Sequence, residues 1–571
     1  MAAGSSDLFD FIVVGAGTAG CLLAYRLAQT PKAPSVLLLE AGPDNSASTL
    51  RIPQERYSAV AANGINYNYE SAPQEALDGR VIPYARGKGL GGTSNINFMA
   101  YIESPAVDYD RWAELVGDEA FRWERTKERF KRIENLHDET APEWKKFVDW
   151  KPENHGHSGP VDVALHHRRE KDILQVMEAA SEAGYPINLD HNSGSIMGFS
   201  VAASSSDNEF RTTGASATLT SKPDNLQVRV NAQVTRVLFD EDKTATGVQL
   251  ADGSEVRARK EILLCGGSID TPKLLLLSGI GPAEELAPLG INVVHNLPGV
   301  GKRLRDHYGT YIASQMDAEF SDREQFEKST ADKRPPRDDW LQDTTGYYTE
   351  HYNSMAWGFL RDEEILKTKE FASLDPSQQE FLRNPEVPLY ELLPGLPSIF
   401  PDMKFDPNTA PMLCFAFLMN AQSAGSVTLR SADPRDAPVI HLGYCEHPYD
   451  RMVLVRALRE AMRFCTSSST KLGRMWQKYV CAPRSESEED ILAHIRQTCM
   501  PVFHAQGTVA MGRPDDPEAC VDSDLRVYGT KRLRVADLSV CPLILNGHTQ
   551  AGAYQIGETA AEKIIAECNL Y

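Results

Sequence analysis

The feature that most constrains the fold is a glycine-rich turn close to the start of the chain, which reads Gly-Ala-Gly-Thr-Ala-Gly at residues 15–20. A short apolar run at residues 9–14 leads into this turn. A helical pattern follows at residues 21–29, and a second apolar run at residues 35–39 closes on Glu40. The order strand, turn, helix, strand predicts a βαβ unit with a parallel sheet.

The glycines of this turn have separate physical roles in a dinucleotide-binding fingerprint. One makes the tight turn, one lets the backbone approach a pyrophosphate, and one lets the helix pack closely on the strand. The helix N-terminus offers free N–H groups to phosphates, and Glu40 can accept hydrogen bonds from ribose hydroxyls. The alternative is a glycine-rich turn in an unrelated α/β domain. This alternative is disfavoured because the strand, the turn, the helix and the acidic residue all occur in the order of the fingerprint.

Composition and charge exclude several functions. The 571 residues include 59 Lys and Arg against 79 Asp and Glu, which gives a formal net charge of −20. That balance argues against a nucleic-acid partner and against a polybasic membrane-surface protein. No apolar run approaches the roughly 18 residues of a membrane span. At roughly 150 residues per domain the length suggests about four units, although two large intertwined domains fit as well.

The sequence predicts an intracellular location. Ten cysteines are scattered singly, with no C-x-x-C pair, and this pattern suits a reducing compartment. The chain has no N-x-[ST] sequon, and no Lys or Arg precedes the first apolar run, so we expect no secretory signal. The expected location is the cytoplasm, or the peroxisome without a recognisable C-terminal signal.

The central part of the chain continues the α/β pattern. Residues 227–238 and 246–250 alternate in polarity, which predicts a small antiparallel meander. Residues 261–264 form a buried-strand run that leads, through Gly266 and a second glycine, into a predicted helix at residues 271–277.

The second half of the chain interrupts that pattern and then returns to it. Residues 320–410 are polar, aromatic and punctuated by proline, with little regular period. A strand at residues 413–418 and an amphipathic helix at residues 449–464 follow. A buried strand at residues 533–536 and a helix at residues 549–566 then close the chain. We therefore expect the two ends to form one domain, with inserted segments forming another.

Further motifs occur in order along the chain. They are residues 86–97 (RGKGLGGTSNIN), 109–112, 267–282 (GSIDTPKLLLLSGIGP), 299–307 (GVGKRLRDH), 425–434 and 521–557. Together with the fingerprint they resemble, over nearly the whole chain, the glucose–methanol–choline family of FAD oxidoreductases. The resemblance implies FAD rather than NAD, because this family uses its Rossmann unit to hold the ADP half of FAD.

The resemblance implies an α/β plus α+β fold class. A Rossmann-type FAD-binding domain is combined with a discontinuous substrate domain, in which helices back an antiparallel sheet that roofs the flavin ring. We expect the FAD-binding domain at residues 1–160, 219–310 and 513–571, and the substrate-binding domain at residues 161–218 and 311–512.

The resemblance also implies the cofactor contacts. It places the fingerprint glycines at the pyrophosphate, Glu40 at the adenosine ribose, Val234 at the adenine, Asn97 near the flavin ring and Asp537 near the ribityl–phosphate region. Thr549 begins a helix whose backbone is expected to face the flavin pyrimidine. The full expected set is Gly15, Gly17, Thr18, Ala19, Gly20, Glu40, Ala41, Arg86, Gly91, Gly92, Thr93, Asn95, Asn97, Phe98, Met99, Val234, Gly266, Asp537, Leu538, His548, Thr549 and Gln550.

The sequence predicts dissociable FAD. Some family members attach FAD covalently through a histidine in the Gly-Gly loop, and that position is Ile96 here, which has no nucleophilic nitrogen. Arg211 precedes a small-residue helix start at residues 212–217. We interpret it as structural, with cofactor contact as the alternative.

Two histidines are the expected catalytic residues. His504 and His548 both lie in glycine-flanked turns near the C-terminus. Apart from the family, a histidine is more often a surface or core residue than a catalyst. With the resemblance, His504 matches the catalytic base and His548 the second residue of the pair. Alcohol oxidation needs a base for the hydroxyl proton, a hydride acceptor, which is flavin N5, and a group to stabilise the developing alkoxide.

The other histidines have no predicted chemistry, and no metal site is expected. His307, with Asp306, resembles a structural family motif. The pairs at 155/157 and 166/167 lack convergent acid or cysteine partners, so we interpret them as solvated loop residues.

The expected activity is FAD-dependent oxidation of a small or aromatic primary alcohol, or of a hydrated aldehyde, with O₂ or another electron acceptor. A lyase or cyclase that uses FAD only structurally is the rival. The C-terminal stretch also resembles fungal formate oxidases, which have arginine at the position of His548, so formate is disfavoured. Aromatic residues that could line the substrate pocket, or equally pack in a core, are Tyr347, Tyr348, Tyr352, Trp357 and Phe400.

Overall fold

The computed structural model describes residues 8–45, 48–60, 64–165, 170–322, 342, 355–396, 400 and 402–571. The strands of its two large sheets, in chain order, are β1 (Leu8–Val14), β2 (Val36–Leu39), β3 (Gly198–Val201), β4 (Leu226–Arg229), β5 (Val234–Phe239), β6 (Ala245–Leu250), β7 (Glu255–Leu264), β8 (Tyr308–Met316), β9 (Ala356–Leu360), β10 (Tyr390–Leu396), β11 (Ala410–Leu418), β12 (Trp476–Cys481), β13 (Met500–Pro501) and β14 (Leu533–Val535).

The helices of eight or more residues are α1 (Thr18–Ala28), α2 (Ala106–Val116), α3 (Trp123–Ile133), α4 (Lys171–Glu182), α5 (Gly267–Leu277), α6 (Pro376–Arg383), α7 (Pro448–Thr466), α8 (Glu488–Thr498) and α9 (Thr549–Glu567). Within the described residues, short strands pair in four small sheets, Tyr69–Glu70 with Pro83–Tyr84, Glu134–His137 with Val161–Ala164, Ile280–Gly281 with His295–Asn296, and Ser426–Thr428 with Val439–His441. Shorter α-helices are Arg56–Ala59, Gly214–Thr218, Ala283–Leu286, Lys369–Ala372 and Lys471–Met475.

The first large sheet has the strand order β4-β2-β1-β7-β6-β5, with β14 beside β7. Its strands β4, β2, β1, β7 and β14 run parallel, and α1 connects β1 to β2. Ile12, Leu37 and Leu263 in its central strands are completely buried, as expected of parallel strands covered on both faces. The predicted βαβ unit with a parallel sheet is confirmed.

The predicted meander is correct in its second half only. The run at residues 227–238 divides into two strands, because Asn231 adopts a left-handed conformation with φ 52° between them. The first strand, β4, extends the parallel sheet beside β2, whereas β5 pairs with β6 in the antiparallel hairpin. Polarity alternates over the whole run, so the sequence does not indicate that the run divides into two strands with different neighbouring strands.

The second large sheet is antiparallel, with the order β12-β8-β11-β10-β9-β3 and with β13 beside β8. Helices α4 and α7 pack against this sheet. The expected antiparallel sheet backed by helices is therefore confirmed. The limits of the two predicted domains stay a prediction.

The expectation of little regular structure at residues 320–410 is wrong for its described part. This part contains β9, β10 and α6, and every residue of the two strands is buried. A strand buried on both faces has no polar alternation, so its period gives no signal. Among the described residues, no helix has the length and apolar character needed to cross a bilayer.

The parallel topology brings the predicted cofactor residues to one edge of the first sheet. Four parallel strands end there, and each is followed within two residues by a predicted one: β1 by Gly15, β2 by Glu40, β7 by Gly266 and β14 by Asp537. The carboxyl edge of a parallel sheet is where ligands of such folds bind.

Candidate active site

A cavity of about 280 Å³ lies at this edge and is lined by residues of both large sheets. Most predicted cofactor-binding residues line it, namely Gly15, Gly17, Thr18, Ala19, Glu40, Ala41, Arg86, Gly92, Thr93, Asn97, Phe98, Met99, Val234, Gly266, Asp537, Leu538, His548, Thr549 and Gln550. Both predicted catalytic residues, His504 and His548, line it as well. Gly20, Gly91 and Asn95 are not among its lining residues.

The glycine-rich turn forms one wall and has room for a phosphate group. Gly15 is left-handed, with φ +102°, and a Cβ atom on Gly20 would lie 2.0 Å from the Gly15 carbonyl oxygen. A Cβ atom on Gly17 would meet no atom within 4 Å, so this position faces open space in the cavity. Helix α1 begins at Thr18 without a side-chain cap. Its first N–H groups are therefore available to an anion, as a pyrophosphate requires.

Glu40 ties the fingerprint turn to the second glycine-rich loop. One carboxylate oxygen accepts a hydrogen bond of 3.0 Å from the Ala16 N–H, and the other accepts bonds of 2.8 and 2.9 Å from Gly42 and Gly89. The residue is buried yet lines the cavity. Glu40 thus organises the wall at which the sequence places the adenosine ribose.

A second wall is built by the segment around Asn97. The Arg211 guanidinium is completely buried and donates to the carbonyl oxygens of Ser94 and Asn97 and to Asn97 Oδ1, at 2.8–3.0 Å. Arg211 does not line the cavity, which agrees with the structural interpretation. Asn97 Nδ2 in turn donates to Gln550 Oε1 at 2.9 Å. The Gln550 Nε2 atom is buried without a hydrogen-bond partner among the described residues, so it is free to donate to a bound group.

His504 is held at two points. Its backbone N–H donates to Asp306 Oδ1 at 2.6 Å, and its Nδ1 lies 2.9 Å from Nδ1 of His307. The other Asp306 oxygen accepts bonds of 2.6 and 2.5 Å from the hydroxyls of Tyr84 and Tyr444. With Nδ1 engaged by His307, Nε2 is the nitrogen left to face a substrate.

The electrostatic surroundings keep His504 unprotonated. Burial, followed by the nearby imidazoles of His548 and His307 and the Arg86 guanidinium, lowers the pKa of His504 well below its ordinary value. Burial also lowers the pKa of His307 to about 3. An unprotonated imidazole is the form that can accept a proton.

His548 has a different partner. Its ring is tilted against that of His504, with centroids 4.8 Å apart, and its Nε2 lies 3.1 Å from a carboxylate oxygen of Glu391 on β10. A carboxylate only accepts hydrogen bonds, so Nε2 carries the hydrogen and Nδ1 is left for another partner. The Trp357 ring lies 5.1 Å from His548.

Sequence reasoning missed several residues of this site. Glu391 was hidden in the region expected to be irregular; its signal is one acid inside a buried apolar run, Tyr390–Leu396. His307 was assigned no catalytic role, and its ring nevertheless contacts that of His504. No sequence motif marks Asp108, which lies outside the cavity lining but accepts hydrogen bonds from Asn546 at both of its oxygens.

One prediction about the other histidines is wrong. His155 is buried, not solvated, because its ring lies between Glu134 at 3.2 Å and Asp190 at 3.3 Å and stacks on Trp150. His157 is exposed, as expected. Residues 166 and 167 lie outside the described residues.

Of the aromatic residues that could line the pocket or equally pack in a core, the two described ones lie outside the cavity lining. Residues 347, 348 and 352 lie outside the described residues. Trp357 and Phe400 are not among the residues that line the cavity; Phe400 stacks on Tyr311 at 4.7 Å instead. The aromatic residues that do line it are Tyr67, Phe98, Phe415, Phe417 and Phe503.

Comparison with known proteins bears on this architecture. The GMC oxidoreductase models match residues 9–309 and 421–557. An oxygen-dependent choline dehydrogenase from Brucella anthropi is 31% identical over 568 residues, which cover 98% of this chain and 96% of that protein.

Solved structures agree with the sequence relatives. A formate oxidase from Aspergillus oryzae matches with a TM-score of 0.87 at 25% identity, over 100% of both chains. An FAD-dependent oxidoreductase from Chaetomium thermophilum matches with a TM-score of 0.85 at 27% identity, over 99% of this chain and 100% of the other. The chain therefore belongs to the GMC oxidoreductase family and is an FAD-dependent oxidoreductase that acts on CH–OH donors.

Proposed function

We propose that the protein oxidises a small or aromatic primary alcohol, or a hydrated aldehyde, and that His504 accepts the hydroxyl proton. The observation that carries this proposal is the pair of imidazoles at the cavity wall, one buried and one half-buried, whose centroids are 4.8 Å apart and which are each fixed by their own partner. A substrate hydroxyl between them would contact one ring that is unprotonated and a second ring whose Nε2–H is engaged by a carboxylate.

The roles of the two rings follow from their partners. His504 is held at its backbone by Asp306 and at Nδ1 by His307, so Nε2 keeps one orientation toward the substrate. Its lowered pKa keeps the ring uncharged at neutral pH. In the tautomer whose Nδ1–H donates to His307, Nε2 is the nitrogen that can accept a proton. His548, tied to Glu391 through Nε2, has Nδ1 left to orient the substrate oxygen. Such fixed geometry accounts for much of the rate in enzymes of this kind.

FAD, when bound, supplies the hydride acceptor at N5. The chain offers the Gly17 backbone and the start of α1 to its pyrophosphate, Glu40 to its ribose, and the Gln550 amide and the start of α9 to its flavin ring. Ile96 lines the cavity where a histidine would be needed for covalent attachment. We therefore propose that FAD binds without a covalent bond.

The cavity wall formed by the second sheet and its neighbours favours an apolar substrate. Its lining residues there are Met355, Leu393, Leu396, Phe415, Phe417, Met500, Val502 and Phe503. A carboxylate substrate such as formate is disfavoured for two reasons. The buried Glu391 carboxylate lies directly behind His548 and would repel another anion, and position 548 is a histidine and not an arginine that could pair with a carboxylate. An aromatic or aliphatic primary alcohol buries its apolar part against this wall.

Anaerobic mixing with candidate alcohols tests the proposal. We expect loss of the yellow flavin absorbance with benzylic or aliphatic primary alcohols and little change with formate. Product formation without loss of absorbance would instead indicate a lyase or cyclase. Aerobic assays that measure both peroxide and dye reduction then separate O₂, our expected acceptor, from another one.

A further inference from the structure

The turn that carries His548 is fixed by a buried carboxylate outside the cavity wall. Asp108 lies in the first turn of α2 and is completely buried. Its Oδ2 accepts a hydrogen bond of 2.6 Å from the backbone N–H of Asn546. Its Oδ1 accepts one of 2.7 Å from the Asn546 side-chain amide. Both oxygens of the acid therefore bind one residue, two positions before His548.

The remaining contacts of this turn leave it little room to move. Asn546 Oδ1 accepts a bond of 2.7 Å from Asn420 Nδ2, and the Gly547 N–H donates to Ser104 Oγ at 2.9 Å. A Cβ atom on Gly547 would lie 2.8 Å from the Ser104 nitrogen. His548 then follows directly as the N-cap residue of α9. The position of the His548 backbone is thus set by the segment that contains Asp108.

We propose that Asp108 is a positioning residue for His548, acting through its paired hydrogen bonds to Asn546. The inference rests on the proposed function, because it gives Asp108 the task of placing the His548 ring against the substrate oxygen. Both Asn546 groups are donors, so they require two acceptor oxygens. An asparagine at position 108 would turn one N–H toward a donor, and the turn would have to shift. Misplacement of a reacting group by about 1 Å costs on the order of 100-fold in rate.

A second buried carboxylate provides a matched control. Asp450 is also completely buried, and it accepts bonds of 2.8 Å from the backbones of Gln422 and Ser423 and one of 2.9 Å from the Tyr308 hydroxyl. It makes no hydrogen bond to the His548 turn. D450N therefore reproduces the replacement of a buried acid by an amide without the loss of this positioning contact.

The experiment compares holoenzyme variants in steady state. We expect D108N to lower kcat about 10- to 100-fold while KM changes less than about 3-fold, and D450N to lower Tm without changing kcat. The double variant D108N/N546D exchanges donor and acceptor, so the amide at 108 donates to the new carboxylate and still accepts from the backbone. We expect it to recover kcat to within about 3-fold of the original.

A readout independent of turnover separates this inference from the proposed function. In protein labelled with ¹³Cε1-histidine, the His548 resonance is assigned by its loss in H548N; it should move in D108N and return in D108N/N546D. If D108N does not fold, N546A tests the same link and should lower kcat. An unmoved resonance, an unchanged kcat in the folded variant, or a double variant without recovery overturns the inference. If no alcohol bleaches the bound flavin, the proposed function is overturned. The shift of the His548 resonance would still test whether Asp108 positions His548.

Discussion

Two groups of buried histidines differ in their neighbours. His504, at the cavity, contacts His307 and lies beside His548, and its pKa is lowered well below the ordinary value by burial and by these imidazoles. His155 lies between Glu134 and Asp190. Burial alone would lower its pKa as well, but the bonds to Asp190 and Glu134 raise it to about 10. Burial lowers the pKa of both rings, so the neighbouring groups account for the opposite directions of the two shifts.

The contrast distinguishes a proton acceptor from a structural ion pair. The lowered pKa of His504 leaves its ring uncharged at neutral pH, as a base requires, and the ring lines the cavity. The His155 ring keeps its proton, is stacked on Trp150 and does not line the cavity. A strongly shifted pKa alone would have selected both residues. Only the combination with cavity geometry identifies His504.

Removal of the proposed base should have the largest effect. We expect H504A to lower kcat by about 10²- to 10⁴-fold, because a positioned general base contributes that much, while the flavin absorbance of the purified protein persists. H157A, which changes an exposed histidine, is the matched control and should keep full activity. Full turnover by flavin-loaded H504A would show that another group takes the proton.

Removal of the carboxylate behind His548 should have a smaller effect. In E391Q the side chain keeps its size and one acceptor oxygen but loses the charge that bonds His548 Nε2 at 3.1 Å. Hydrogen bonds to charged groups contribute about 1.5–3 kcal/mol, so we expect kcat/KM to fall about 10- to 100-fold. Stopped-flow flavin reduction measures this, with E363Q at an exposed position as control. An unchanged rate would mean that His548 needs no charged partner.

The His155 ion pairs should appear in stability rather than in activity. Its folded pKa of about 10 is raised from 6.5, so the stabilisation is complete below pH 6.5 and is lost as the pH rises toward 10. Between pH 7 and pH 8.5 we expect the free energy of unfolding to fall by roughly 1–2 kcal/mol. Denaturant titrations at both pH values measure this difference. H155Q should remove most of it and leave kcat near its original value.

The sequence predicted the parts of the site that are local in the chain. The fingerprint turn, Glu40 and the strand before Asp537 follow from residues within one βαβ unit or one strand–turn step, and family motifs supplied His504 and His548. The sequence predicts no role in the site for Glu391 or His307, because each contacts its histidine partner only where segments far apart in sequence meet. A single acid in an apolar run has no periodicity to mark it.

The error at His155 has the same physical cause. Its partners Glu134 and Asp190 lie 21 and 35 residues away, so the local sequence shows only a polar, glycine-containing stretch. The division of residues 227–238 into β4 and β5 likewise depends on which strand lies alongside, not on the alternation within the run. Long-range contacts therefore limited both the fold prediction and the site prediction.

The smallest expected effect is a shift in the acidic limb of the pH profile. Because the pKa of His504 lies well below 6.5, kcat/KM should stay level as the pH falls through 6.5. In H307N one neighbouring imidazole is lost, and with it a source of the lowered pKa. The limb should then move to higher pH by no more than about one unit, a change of less than about 10-fold at any single pH. H295N, which alters a histidine outside the cavity lining, should leave the profile in place. An acidic limb at or above pH 6.5 in the unaltered enzyme would contradict the contrast drawn between His504 and His155. It would mean that burial and the neighbouring imidazoles do not lower the pKa of His504.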